Sequence, residues 1–155
     1  MKRRSILLLL LLALSVTTMA QEVREEKPAI TYRPRGYFGY VEASGGAVGW
    51  PFLGVSTSHG FRFNPKLFVG GGMSLNTEGL SLFSNVRYNF TPKQTSPFLD
   101  GKLGCNVWCI DSPEYITLSV GVTHQFDSKW GLSFSMGYIQ QDSEKGWAMH
   151  LGFEF

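Results

Sequence analysis

The stretch GWAMHLGFEF, Gly146 to Phe155, decides the fold. Its odd positions are Trp147, Met149, Leu151, Phe153 and Phe155, and between them stand Ala148, His150, Gly152 and Glu154. Side chains alternate faces along a strand, so one face of this segment is wholly apolar and the other is small or polar. In a soluble protein such a strand is an aggregation hazard, whereas a membrane barrel needs a closing strand with one lipid face. The expectation is an all-β, eight-stranded, antiparallel, up-and-down transmembrane β-barrel.

The same alternation recurs upstream. Trp130, Leu132, Phe134, Met136 and Tyr138 oppose Gly131, Ser133, Ser135 and Gly137; Ile116, Leu118, Val120 and Val122 oppose Thr117, Ser119, Gly121 and Thr123. Leu80, Leu82, Val86, Tyr88 and Phe90 oppose Ser81, Asn85, Arg87 and Asn89. Membrane strands use about 9 to 11 residues, so the 120 residues from Gly36 to Phe155 accommodate eight with short turns. The expected strands are about 36–44, 50–63, 67–75, 80–90, 98–109, 115–126, 130–141 and 146–155. Turn residues separate them: Asn64-Pro65-Lys66, Thr91 to Thr95 and Asp127-Ser128-Lys129 at the periplasmic end. Gly45-Gly46, Asn76 to Gly79, Asp111 to Glu114 and Asp142 to Lys145 are the expected turns at the extracellular end, all short.

Met1 to Ala20 carries Lys2, Arg3 and Arg4, then a Leu-rich run from Ile6 to Val16, then Thr18-Met19-Ala20, the order of a secretory signal peptide cut after Ala20. Its apolar run of about 11 residues is too short to cross a bilayer as a helix. Three of the 14 Lys and Arg lie in it and no acid does, which leaves 11 basic against 12 acidic residues and no case for nucleic acid. Residues 21–35, with Glu22, Arg24, Glu25, Glu26, Lys27, Pro28 and Pro34, are expected to be a mobile, solvated periplasmic lead-in, with a plug folded back into the barrel as the alternative. Residues 36–155 are then the barrel.

If the apolar faces meet lipid, the opposite faces fill the lumen with Glu42, Arg62, Arg87, Asp100, Lys102 and Glu154, three acids against three bases. Buried charges persist when they are paired, and an eight-stranded interior is just wide enough for side chains to fill. A plugged barrel with an ion-pair network follows. Trp50, Trp108, Trp130 and Trp147, with Tyr37, Tyr88, Tyr115 and Tyr138, fall near strand ends, where rings anchor at lipid headgroups.

FRFNPKLFVGGGMSL (61–75), FSNVRYNF (83–90) and the terminal LGFEF (151–155) resemble the small porin-like or OmpA-like outer-membrane β-barrels of Bacteroidota-type bacteria. Trp147, Met149, Leu151, Phe153 and Phe155 are similar to the C-terminal signature strand of such barrels. The resemblance implies an integral protein of the Gram-negative outer membrane, inserted by the barrel assembly machinery after signal-peptide cleavage. It also implies outer-membrane lipid as the partner and no defined activity. No peptidoglycan-binding domain follows the last strand, so a cell-wall tether is not expected.

Small outer-membrane barrels include lipid A deacylases and palmitoyl transferases; the deacylases use a His with a Ser two positions on and a distant Glu, so that the imidazole takes the hydroxyl proton and the carboxylate orients it. Two positions after His59, His124 and His150 stand Phe61, Phe126 and Gly152, so no catalytic residue, metal ligand or cofactor is assigned. Cys105 and Cys109 share a parity, and four extended residues span about 13 Å, beyond the reach of a disulfide. Two free thiols result, or a loop-capping bridge if the chain turns after about Asn106. The expected role is that of a monomeric structural or surface-presenting barrel. A small-solute channel, a lipid A-modifying enzyme and a soluble lipocalin-like barrel are the competing readings.

Overall fold

The computed structural model describes residues 32–77, 79–107, 114–141 and 144–155. Eight strands form: β1 (Gly36–Val48), β2 (Trp50–Arg62), β3 (Leu67–Asn76), β4 (Gly79–Asn89), β5 (Thr95–Asn106), β6 (Glu114–Gln125), β7 (Gly131–Gln141) and β8 (Glu144–Glu154). Each pairs antiparallel with its sequence neighbours, and β8 pairs back onto β1 to close a barrel. No edge is left unpaired, so every strand can be apolar on one face without offering a template for aggregation. The signal segment, residues 21–31, Trp108 and Cys109 lie outside the described residues.

Residues directly opposite in adjacent antiparallel strands share a face, so the parity of one strand propagates around the barrel. Glu42 stands opposite Ser56, Ser56 opposite Ser74, Ser74 opposite Ser81 and Ser81 opposite Asn106, and all five point inward. Met73, Leu82 and Cys105 form the corresponding outward row. Leu53, Val55, Leu75, Leu103, Leu118, Val120, Phe134, Met136, Trp147 and Leu151 are all more than half exposed on the outer wall. Water would penalise that surface by about 25 cal/mol per Å².

Three details depart from the expected layout. Gly45 and Gly46 lie inside β1, opposite Leu53 and Phe52, and the turn is made by Gly49 at φ 66°. A side chain on Gly46 would meet the Trp147 backbone, Ala148 Cα at 2.8 Å and Phe52 Cε1 at 3.0 Å, so this glycine serves a close strand approach rather than a bend. β5 begins at Thr95 and runs through Pro97, whose carbonyl accepts from Phe90 N at 3.0 Å even though its own nitrogen cannot donate. The strand ends at Asn106.

Tyr115 is the third departure. It is 2% exposed inside the lumen, stacked on Phe83 at 5.7 Å, instead of joining the outer girdle. Its parity with Thr117 and Ser119 dictates this inward facing, whatever its nearness to a strand end. Tyr37, Tyr88, Tyr138, Trp130 and Trp147 are exposed on the outside, whereas Trp50, exposed at the first residue of β2, has the parity of the inward-facing Phe52 and Ser56.

Candidate functional site

The lumen is filled in layers. Val48, Phe52, Phe83, Tyr115, Ile139 and Ala148 make an apolar cluster toward the end opposite the chain termini. Phe38, Tyr40 and Phe68 make a second one near the terminal end, where β1 and β3 begin. Between them lie charges.

Arg87, from β4, is the hub. Its Nη1 donates to Glu154 Oε1 at 3.0 Å and its Nη2 to Glu42 Oε1 at 3.0 Å, while Nε lies 3.5 Å from Asp100 Oδ1. The guanidinium is sandwiched by rings, 3.9 Å from the centroid of Tyr40 and 4.3 Å from that of Phe98. Lys102 binds Glu42 and lies 4.0 Å from Asp100 Oδ2. Hydrogen bonds complete the shell: Tyr40 Oη donates to Asn85 Oδ1 (2.7 Å) and Asn85 Nδ2 to Asp100 Oδ1 (2.6 Å). Gln125 Nε2 donates to Glu154 Oε2 at 3.2 Å, and Ser56 Oγ to Glu42 Oε2 at 3.3 Å.

Local sequence explains the placement. Arg87 and Asp100 are directly opposite in the β4–β5 ladder, as are Asn85 and Lys102, so adjacent strands deliver alternating charge and amide to one patch. Glu42 on β1 and Glu154 on β8 then reach the same patch across the β1–β8 seam. All five charged members are at most 3% exposed. A desolvated charge costs several kcal/mol unless paired, and here each carboxylate meets at least one cation.

Arg62, the sixth charge expected in the lumen, is 3% exposed but stands apart from these pairs, with its guanidinium 3.8 Å from the Phe38 ring centroid. Arg33 joins it at the terminal mouth. That residue belongs to the expected lead-in, yet it is fully buried and donates to the carbonyl of Lys93 and, at 3.4 Å, to that of Gln94. Asn85 stands on the inward face expected from the sequence, whereas Tyr40, Phe98 and Gln125 were not singled out there; their inward parity was the available signal.

The three histidines are dispersed. His150 is buried in the lumen. On the outer wall, His59 is bonded to Tyr37 Oη (2.6 Å) and, through Nε2, to Thr57 Oγ1 (2.8 Å). His124 is bonded to Thr95 Oγ1 at 2.8 Å. The Thr57–His59 contact was missed because its hydroxyl lies two positions before the histidine, not two after. Its other partner is a phenol, which does not stabilise an imidazolium as a carboxylate does. Cys105 is exposed on the outer wall.

Chemically, among the described residues each luminal carboxylate stands against a cation, Arg87 and Lys102 against carboxylates and rings, Arg62 against the Phe38 ring and Arg33 against backbone carbonyls. Such a set fills the section between the two apolar clusters with paired charge.

No protein-family model matches the chain, and no curated protein matches it in sequence. Its backbone is similar to a de novo designed transmembrane β-barrel, with TM-score 0.55 and 17% identity over 79% of this chain and 98% of that one. It is also similar to Neisserial surface protein A (NspA), with TM-score 0.54 and 16% identity over 77% of this chain and 95% of that one. At these identities the likeness speaks to architecture alone: the chain has the eight-stranded, outer-membrane-type β-barrel fold.

Proposed function

We propose that this chain is an integral outer-membrane barrel of the small porin-like or OmpA-like kind found in Bacteroidota-type bacteria. In this reading it is monomeric and non-enzymatic, with a structural or surface-presenting role and a side-chain-filled lumen. The observation that carries the reading is the inversion of the usual globular pattern: five mutually paired charges inside, an apolar belt outside. A soluble lipocalin-like barrel would need the reverse. The outer apolar wall faces lipid, the signal segment directs export, and Trp147, Met149, Leu151 and Phe153 present the outward row that assembly machinery would engage.

Two measurements test this. Boiled and unboiled samples extracted from membranes should migrate differently on SDS gels, and planar bilayers containing the protein should show no sustained open steps. Recovery in a soluble fraction without a mobility shift would overturn the membrane reading. Sustained conductance would overturn the sealed lumen.

A further inference from the structure

The three turns at the terminal end repeat one pattern. They read Phe61-Arg62-Phe63-Asn64-Pro65-Lys66, Tyr88-Asn89-Phe90-Thr91-Pro92-Lys93 and His124-Gln125-Phe126-Asp127-Ser128-Lys129. Each has an aromatic ring, an inward polar residue, an exposed Phe, a turn-former, Pro or Ser, and an exposed Lys. In each the Phe packs edge-on against the ring two residues before it: Phe61–Phe63 at 5.4 Å, Tyr88–Phe90 at 5.4 Å and His124–Phe126 at 5.6 Å. Phe63, Phe90 and Phe126 are 49%, 52% and 56% exposed.

Backbone chemistry fixes the lysine position. Asn64 Oδ1 accepts from Lys66 N (2.8 Å) and Leu67 N (2.9 Å), and Asp127 Oδ1 accepts from Lys129 N (2.6 Å) and Trp130 N (2.7 Å). These Asx turns set the third turn residue at the same place in two hairpins. Thr91 stands at the corresponding position of the third, its Oγ1 donating to Thr95 O at 3.2 Å. Arg35 adds another exposed cation at this end. The sole acid in the three turns, Asp127, already has one oxygen committed to backbone N–H groups. In sequence, the expected turns at the opposite end carry five acids, Glu78, Asp111, Glu114, Asp142 and Glu144, against one cation, Lys145.

An exposed ring with a cation three residues on, repeated around one rim, matches a lipid interface: rings sit at headgroup depth and an ammonium meets phosphate oxygens. We propose that Lys66, Lys93 and Lys129 form a headgroup-binding rim that docks on the phosphates of an anionic phospholipid leaflet. Phe63, Phe90 and Phe126 set its depth. This rests on the membrane-barrel reading above. The rim favours one orientation of the barrel, because acids outnumber cations in the sequence of the opposite turns.

The test is the urea midpoint of the full chain, followed by the folded band on unboiled gels, in phosphatidylcholine vesicles with and without phosphatidylglycerol. A lysine near an anionic surface gives about a fivefold gain, so three should shift the folding equilibrium on the order of a hundredfold. The midpoint should rise with phosphatidylglycerol, and the rise should shrink at high salt. The triple variant Lys66→Gln, Lys93→Gln, Lys129→Gln should lose most of that rise while keeping its midpoint in phosphatidylcholine, and the triple Lys→Arg variant should retain it. A Gln variant that keeps the full rise, or a parent that shows none while folding in both vesicles, overturns the rim alone. A Gln variant that folds in neither vesicle leaves the decision to the parent's salt dependence, and a salt-insensitive rise overturns the proposal. Inorganic phosphate should not raise the midpoint in phosphatidylcholine, and a rise there would assign the site to free phosphate. A parent that yields no folded band in either vesicle overturns the membrane reading itself.

Discussion

Replacing Arg87 by Met keeps an unbranched stem of similar reach and removes only the guanidinium. Two 3.0 Å charged hydrogen bonds, to Glu42 and Glu154, then vanish, and Asp100 loses its 3.5 Å neighbour. Lys102 remains against Glu42 and Asp100, but Glu154 keeps only its hydrogen bond from Gln125. Three acids then share the lumen with Lys102 and the more distant Arg62. Removing one partner of a buried pair costs about 3–5 kcal/mol, because the surviving charge stays desolvated. Arg87→Met should therefore lower unfolding free energy in detergent micelles or vesicles by that amount, read from urea titrations of the heat-modifiable band. Adding Glu154→Gln should restore part of the loss, with a coupling of about 1–3 kcal/mol in the double-mutant cycle. Salt should change neither value much, since the pairs are shielded from solvent. A loss under about 1 kcal/mol, or an additive cycle, would refute the account of Arg87 as hub.

Other outcomes follow from single features. Gly46→Ala should cost about 1–3 kcal/mol, since the new methyl meets the Trp147 backbone and Phe52; unchanged urea stability would contradict the close approach. The backbone N–H groups of Lys129 and Trp130 hold the Asp127 carboxyl below its ordinary value of 3.8. A depressed acid stabilises the fold above its unfolded pKa and loses that contribution as pH falls through the folded one. The parent should thus lose stability below about pH 4 relative to Asp127→Asn, whose amide oxygen keeps the turn; parallel pH profiles would count against this. In a Cys109→Ser background, Cys105, exposed on the outer wall beside Leu82, should react with a water-soluble maleimide in the urea-unfolded chain and be protected once the barrel sits in vesicles. Equal labelling in both states would show that this wall does not face lipid.

Parity made the fold legible. A period of two marks which residues share a face, and closure into a barrel turns one face of every strand into a common interior. Glu42, Arg62, Arg87, Asp100, Lys102 and Glu154 could all be assigned a side in this way. Height could not. Strand tilt and ladder register decide which inward charges meet, and these emerge only from the pairings Arg87–Asp100 and Tyr40–Glu154. Hence Arg62 lands beside Phe38, away from the others, and Arg33 from the expected lead-in reaches the mouth. Glycine misled for a related reason: Gly45-Gly46 has the composition of a turn, but the missing side chains relieve contact between β1 and its neighbours. Tyr115 was misplaced when nearness to a strand end was weighed above its parity.

The β1–β8 seam has a further meaning for how the chain travels. Its ladder joins Tyr40 to Glu154 and Val41 to Phe153, partners from opposite ends of the strand series, and Gly39 and Phe155 exchange two 2.9 Å bonds at its edge. Before that seam forms, apolar and polar side chains alternate along an open chain, and no stretch of strand is greasy enough to be trapped in the wrong membrane. Closing the seam sorts them, one set outward and one inward. Lipid solubility is thus a property of the assembled ring and not of any segment, which is what the proposed outer-membrane destination demands of a chain that must first cross water.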